Sequence, residues 1–438
     1  MAVSIQARTP DVNDDTTRPS RVGGRTRSVN VRQGETVLVD LADADTATSG
    51  GKAAVLARLM AAGLPVPPGF VVPTTAYEQA VAGSDLADAG AARRRIEQLT
   101  LAPALVEAVS RALDRLAGPS GDGHVAVRSS AANEDTADAT AAGQHDTFLG
   151  VCGPERVADA VRRCWASLWS ERAVGYRRWQ AADVPGGSPT VAVLVQRLVD
   201  ADVAGVMFTG TDVRIEASWG LGESVVSGRV TPDSWTVSGD TVVRRALGVK
   251  DSRIDQEDSR VVTRAVPLAD REHFCLADED VVRLARLGRD IADLLDGPQD
   301  IEWAIADGRI WVLQARPVTT PLPATPSYPT RESIALAGTP GSPGVAVGPA
   351  RVVRGPGDFG RVRPGDVLVC RTTDPAWTPL FSVVAAVVTE IGGLLSHAAI
   401  VAREQGLPAV LAVPDAMTVL PDGAAVEVDA DTGRVVLR

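Results

Sequence analysis

The alternation of apolar and polar positions divides most of the chain into short elements. In "GGKAAVLARLMAAGLPVPPGFVV", Val55, Leu56, Leu59 and Met60 recur at helical spacing, Gly63 stops the helix, and a proline-bounded strand follows. "DGHVAVRSSA" predicts a short strand that ends in small polar residues, and "ERVADAVRRCWASLWSERAVGYRRWQ" predicts a helix with one apolar face. "TVAVLVQRLV" and "AGVMFTG" predict a pair of buried strands. "DEDVVRLARLGRDIADLL" predicts another amphipathic helix. "IEWAIADGRIWVLQARPVT" predicts a hairpin turning at Asp307-Gly308. The tract "TPLPATPSYPTRES", with four prolines, predicts an extended, moderately stiff linker over 321–334. Beyond it, 335–438 is rich in Gly, Val and short strands, with one clear helix after Ser396. Residues 1–35 are polar and aperiodic and predict a disordered extension.

A length of 438 residues is too much for one ordinary core and predicts two or three domains. A net charge of −11 argues against a nucleic-acid partner or an anionic membrane surface, both of which need a basic face. Cysteines 152, 164, 275 and 370 are scattered without a C-x-x-C pair, so a disulfide framework or zinc site is not expected and the cytoplasm is the default compartment. No secretory pattern opens the chain, and no long uncharged apolar run exists to span a bilayer. Only two of the 44 basic residues are lysines, Lys52 and Lys250. A GC-rich coding bias explains that scarcity. It also singles out the two positions, because an ammonium and a guanidinium differ in shape and pKa behaviour.

Four constellations offer chemistry. Gly50-Gly51-Lys52 at a helix start is an anion site, where backbone N–H groups and the dipole add to the ammonium, or a glycine turn with a solvated lysine. Arg128, at the end of a strand in "VRSSAANED", is a bidentate phosphate clamp or one half of a surface ion pair. Glu302 and Gln314 flank the Asp307-Gly308 turn and lie close across the ladder. With Arg316 they form a site for a hard cation and its phosphates, or a polar face in water. His397, in "GGLLSHAAIVAREQGLPAV", is a structural histidine or a nucleophile displayed at a helix N-terminus. In the second case Gly392 and Gly393 allow close approach and Ser396 is a suitable N-cap. Helix-terminal N–H groups would stabilise a phosphoryl group bonded to the ring.

These segments together resemble the phosphoenolpyruvate synthase, pyruvate phosphate dikinase and rifampin phosphotransferase family. "GGLLSHAAIVAREQGLPAV" is similar to the signature of its mobile phosphohistidine domain. "GGKAAVLARLMAAGLPVPPGFVV", "VRSSAANED", "AGQHDTFLGV", "WGLGESVVSGRVTPD" and "QDIEWAIADGRIWVLQARPVT" are similar, in order, to pieces of its ATP-grasp domain. The resemblance implies an α/β (α+β) chain. A bilobed ATP-grasp domain would occupy 36–320, with lobes near 36–188 and 189–320, followed by the linker and a small swivelling β/β/α phosphohistidine domain over 335–438. It implies that Lys52 and Arg128 hold ATP phosphates, that Gly143 and Thr147 belong to a loop over them, and that Gln196 lies near the adenine. Glu302 and Gln314 would bind Mg2+, Arg316 a phosphate, and His397 would be the phosphorylated nucleophile. Lys250 also matches a family lysine, without an assigned role.

The activity implied is a dikinase-type phosphotransfer. ATP gives AMP plus phosphate or pyrophosphate, and the phosphoryl group on His397 passes to a small-molecule acceptor. The cofactors implied are ATP and Mg2+. After "GVMFTG" the family usually carries a longer loop, whereas here "TDVRIEASWG" follows directly. Relatives also carry a large acceptor-binding domain, for which 321–334 leaves no room. The acceptor is therefore expected between the two domains or on a separate acceptor-domain protein. The alternatives are a non-catalytic ATP-binding regulatory subunit and an ATP-driven ligase-type activator.

Overall fold

The computed structural model describes residues 38–117, 123–131, 147–170, 173–174, 189–257, 260–318 and 335–438. The expected N-terminal extension, the proline tract and Gly143 lie outside the described residues. Residues 36–438 cluster as one unit.

Three larger sheets carry the unit. The first orders β1 (Val39–Asp40), β2 (Gly69–Val72), β3 (His124–Ser130), β4 (Thr147–Cys152) and β5 (Ala192–Arg197) as β1-β2-β5-β3-β4. Helices α1 (Thr46–Ala61), α2 (Thr74–Val81), α3 (Ala89–Glu97), α4 (Pro103–Ala117) and α5 (Pro154–Ser167) accompany it. Phe70, Tyr77, Ile96, Val109, Val127 and Trp165 meet in one of its cores. In α1, Asp45 caps the first turn through the Thr48 N–H, and Gly63 ends the helix at φ 78° as its position predicts.

The second sheet is built from β6 (Val203–Phe208), β7 (Val213–Trp219), β8 (Asp233–Ser238) and β9 (Thr241–Ala246). It also holds the hairpin β12 (Gln299–Ala306) and β13 (Arg309–Pro317), in the order β13-β12-β6-β7-β8-β9. A separate two-stranded ribbon, β10 (Ser252–Glu257) and β11 (Arg260–Ala265), is interposed in the chain. The β12–β13 hairpin turns at Asp307 and Gly308, both at positive φ, as the sequence predicts. The expected pairing of "TVAVLVQRLV" with "AGVMFTG" does not occur: β5 and β6 are consecutive but belong to different sheets. Both are buried runs without clear alternation, so each fits the middle of a sheet and neither identifies its neighbour.

Alternation gives the second sheet two unlike faces. Met207, Ile215, Trp235, Ile301, Trp303 and Val312 point back into a core shared with α1 and the Asp278–Leu294 helix. The front face carries two cross-strand rows. One runs Gln314–Glu302–Val206–Glu216–Ser234, and the other Arg316–Asp300–Phe208–Arg214–Thr236–Arg244. Residues directly opposite in a ladder share a face, so these polar groups stand side by side.

The third sheet uses only residues after 334: β14 (Ala335–Ala337), β15 (Thr339–Ser342), β16 (Val345–Val353), β17 (Val367–Cys370), β18 (Ala386–Thr389), β19 (Ala409–Leu411), β20 (Ala425–Asp429) and β21 (Arg434–Leu437). Strands β16 to β19 are parallel. The His397–Glu404 helix is the crossover between β18 and β19, which places His397 beyond the carboxyl end of β18. Loops at that end of a parallel sheet are where open α/β folds assemble sites.

Candidate active site

A cleft of about 120 Å³ opens between the first and second sheets. Its floor is apolar, with Leu149, Leu198, Val199, Ala204 and Leu221 among the lining side chains. Arg128, Thr147, Gln196, Glu302 and Gln314 all line it, so five positions singled out from distant parts of the sequence converge on one space. An apolar floor with a few converging polar groups suits a planar heterocycle with a charged tail.

Each side chain arrives on a different strand. Arg128 is 9% exposed on β3. One of its guanidinium nitrogens donates to the Leu313 carbonyl at 3.0 Å, and another stands 4.0 Å from Glu302 Oε2. Glu302 faces Gln314 directly across β12 and β13, with a register shift just after it. Gln196 is buried on β5 and donates its side-chain amide to the Pro67 carbonyl at 3.0 Å. Lys52 is half-buried on α1 and, unlike those five, does not line the cleft. Gly50 breaks the helix there at φ 78°, and the renewed helix is tied to the end of β3. Gly51 N–H donates to the Ala131 carbonyl and Ala53 N–H to Ser130 Oγ. A Cβ at Gly50 would fall 2.1 Å from the Ser130 carbonyl oxygen, so only glycine permits this approach.

Glu223 was not singled out from the sequence, yet it lines the same cleft. Burial pushes its carboxyl up from the ordinary range, Arg229 opposes that, and the neighbouring Glu302 adds to it. Its signal was present in "WGLGESVV", a glycine-rich turn that delivers an acid at the head of a short helix. Two carboxylates and an amide oxygen suit a hard divalent cation. Mg2+ takes one or two protein carboxylates and completes its shell with phosphate and water, so Glu302, Gln314 and Glu223 fit that partial set. Among the described residues, no cluster of three or more His, Cys, Asp and Glu is placed to hold a metal by itself.

Arg316 does not line the cleft. Its guanidinium grips Asp300 Oδ2 through Nε at 2.8 Å and Nη2 at 2.7 Å, where the sequence alone suggested a phosphate. Arg316 also acts electrostatically on Glu404, at the far end of the histidine helix, whose carboxyl burial pushes up to about 7. Lys250 is likewise not a cleft residue. Wholly buried, it donates to Asp233 Oδ1 at 2.6 Å, while Asp233 also accepts the Gly248 and Cys275 N–H groups.

His397 begins its helix as expected, but Ser396 does not cap it. The Ser396 hydroxyl turns back to the Gly393 carbonyl at 2.8 Å. The ring is 7% exposed. Nδ1 lies 2.8 Å from Thr373 Oγ1, Nε2 lies 3.3 Å from Thr378 Oγ1, and Phe381 meets the ring edge-on. The loop before it is seated on the second sheet. Leu395 packs with Val206, Phe208, Val225 and Val230. Leu394 N–H donates to Glu216 Oε1 at 2.9 Å, and a Cβ at Gly393 would fall 2.3 Å from Glu216 Oε2. Thr372 donates to the Gly228 carbonyl at 3.0 Å, and Ser396 lies against Gly228. Ser227 and Gly228 follow directly on the helix whose Glu223 and Val226 line the cleft. The histidine loop therefore rests against the outer side of the cleft wall.

Residues 46–331 match the family described as pyruvate phosphate dikinase, AMP/ATP-binding domain. Residues 362–433 match the one described as PEP-utilising enzyme, mobile domain. The chain is similar to the probable phosphoenolpyruvate synthase of Methanothermobacter thermautotrophicus, 38% identical over 429 residues, which cover 90% of this chain and 62% of that protein. It is also similar to the phosphoenolpyruvate synthase of Pyrococcus furiosus, 33% identical over 473 residues, covering 90% of this chain and 58% of that one. The chain thus spans about three-fifths of the length of these relatives.

Proposed function

Because this chain belongs to the family that joins a pyruvate phosphate dikinase AMP/ATP-binding domain to a PEP-utilising mobile domain, we propose that it is an ATP-dependent phosphotransferase with His397 as its phosphoryl carrier. The observation that carries this reading is the seating of Ser396 and Thr372 against Gly228, just after the helix that walls the cleft. In this reading the purine lies on the apolar floor near Gln196. Arg128 and Lys52 hold the phosphate tail, with Thr147, which stands on β4 rather than in a loop, beside them in the cleft. Glu302 and Gln314, with Glu223, would hold Mg2+, which when bound screens the phosphate charge against an incoming nucleophile. Arg316 reaches a phosphate only by releasing Asp300.

The neutral imidazole attacks the β-phosphorus, the bond to the α-phosphate oxygen breaks, and AMP leaves. The terminal phosphate on the ring then passes to water or to inorganic phosphate, giving phosphate or pyrophosphate. The remaining phosphoryl group passes from nitrogen to an oxygen of a small acceptor, bound by this chain or presented by a separate protein. The seated ring lies against Thr378, so loading requires 335–438 to move as a unit away from this seat. The linker expected from the sequence over 321–334 has a reach of at most about 50 Å. We place the reaction in the cytoplasm, where ATP is made and the four cysteines stay thiols.

The test is incubation with Mg2+ and ATP labelled at the β position. The expected result is an acid-labile, base-stable label on the protein, with AMP released and both lost in His397→Ala. Nucleotide binding without label would leave an ATP-binding regulatory module instead.

A further inference from the structure

A second and larger cavity, about 310 Å³, lies on the other side of the same loop. Its floor is the front face of β7, β8 and β9, and its roof is formed by Gly338–Pro340, Gly392–Leu394 and Ala412. None of the residues expected from the sequence to hold nucleotide or metal lines it.

The charges in this cavity are ordered. Arg214, Thr236 and Arg244 stand in one row, so two guanidinium groups flank a hydroxyl on one face. The next row holds Glu216 and Ser234. Burial disfavours the charged form of Arg214. Glu216 and, more weakly, Asp212 counter that, and Arg244 adds to it as a like charge. Glu216 is 5% exposed; its Oε1 accepts from Leu394 N–H, the Leu395 N–H also acts on the carboxylate, and Oε2 is covered by Gly393. Burial pushes this carboxyl up to about 7, so near neutrality it is either an acceptor or a donor. Ala412, in the roof, holds φ at 52°, a strained conformation for alanine that recurs at ligand clamps.

We propose that this cavity binds a small oxyanion that also carries a hydroxyl group, with the oxyanion on Arg214 and Arg244 and the hydroxyl in the adjacent Glu216–Ser234 row. Adjacent rows on one face of a strand are about 6.5–7 Å apart, the span of a three-carbon acid or a phosphate with its bridging contacts. Two guanidinium groups pair with carboxylate or phosphate by charge-assisted hydrogen bonds, and the ligand relieves their mutual repulsion. Inorganic phosphate and a short 2-hydroxy or enolised 2-oxo acid share this chemistry. Gly392–Leu394 form part of the wall, so the ligand contacts the loop that presents His397. Its role as a co-substrate rests on the proposed function; its binding does not.

The experiment is isothermal titration of the full chain at pH 7 with inorganic phosphate, lactate and pyruvate in turn, each also in competition with phosphate. At least one should bind at one site per chain. Its Kd should weaken at least tenfold in Arg214→Gln and in Arg244→Gln, and binding should vanish in the double variant. Affinity for a non-hydrolysable ATP analogue should change less than twofold in all three. Arg244 is exposed on an edge strand, so its variant tests the site without threatening the core. Binding of phosphate alone identifies a phosphate site, whereas a carboxylate that displaces it identifies the acid. Failure of all three probes to bind the wild-type chain, or binding that both variants retain, overturns the proposal. Loss of histidine labelling with oxyanion binding intact would instead overturn the carrier reading and leave this one standing.

Discussion

The nucleotide cleft and the histidine pocket solve opposite problems. The cleft gathers Arg128, Gln196, Glu302 and Gln314 from four strands of two sheets and leaves room between them. The histidine pocket is local: Thr373, Thr378, Phe381 and His397 lie within 25 residues of one another, and they close around the ring. In the proposed reading one region receives the nucleotide, while the other holds the phosphoryl carrier until its unit moves. The difference implies that binding and transfer can be lost separately.

The strongest test of that separation is His397→Asn. It should abolish label and AMP release, a loss beyond 10³-fold, and leave affinity for the ATP analogue within about twofold, because the ring does not line the cleft. Parallel loss of nucleotide affinity would show that the two regions are one site.

The two lysines sharpen the contrast next. Lys52→Met should lower the rate of AMP formation by about 10²-fold, since an ammonium at the phosphates acts mainly through charge that develops in transfer. It should move the unfolding midpoint little. Lys250→Met should do the reverse. It strands Asp233 in the interior, at a cost of roughly 3 kcal/mol in urea unfolding, and leaves nucleotide affinity near the wild-type value.

This pair also shows what the sequence discloses. Against an arginine-rich background both lysines stand out equally, and the linear chain does not tell which of them is a buried ion pair. Local patterns were legible. The Gly63 stop, the Asp307-Gly308 turn and the Glu302–Gln314 apposition depend on neighbours within a few residues or across one hairpin. The partner sheets of β5 and β6, the Arg316–Asp300 pair, the turned hydroxyl of Ser396 and the role of Glu223 depend on contacts the local pattern does not encode. Glu216 is the clearest case. It sits in an ordinary alternating strand and becomes informative only when Leu394, 178 positions later, is laid against it.

A smaller effect should follow from Thr373→Val, which removes the 2.8 Å partner of His397 Nδ1 and nearly preserves volume. Label should form about tenfold more slowly, with affinity for the ATP analogue unchanged. The last is a slope of stability with pH. Burial raises Glu216 from an ordinary 4.5 to about 7. Between those values the folded protein keeps a proton that the unfolded chain has released, so stability is greatest below about pH 4.5 and falls as pH rises towards 7. Glu404 adds in the same direction. Glu216→Gln should remove its share of the slope, on the order of 1–3 kcal/mol between pH 5 and pH 8, read from urea midpoints. An unchanged slope would mean that Glu216 is not buried beneath the histidine loop in solution.

The central claim is that His397 leaves its threonine pocket to carry a phosphoryl group drawn from the cleft. The most direct measurement is phosphorus NMR of the chain after reaction with Mg2+ and ATP and denaturation in alkali. The account predicts one phosphorus–nitrogen resonance, on Nε2, because Nδ1 makes the shorter and more deeply buried contact. That resonance should be absent from His397→Asn. A chain that binds the nucleotide tightly and shows no such resonance would contradict the account.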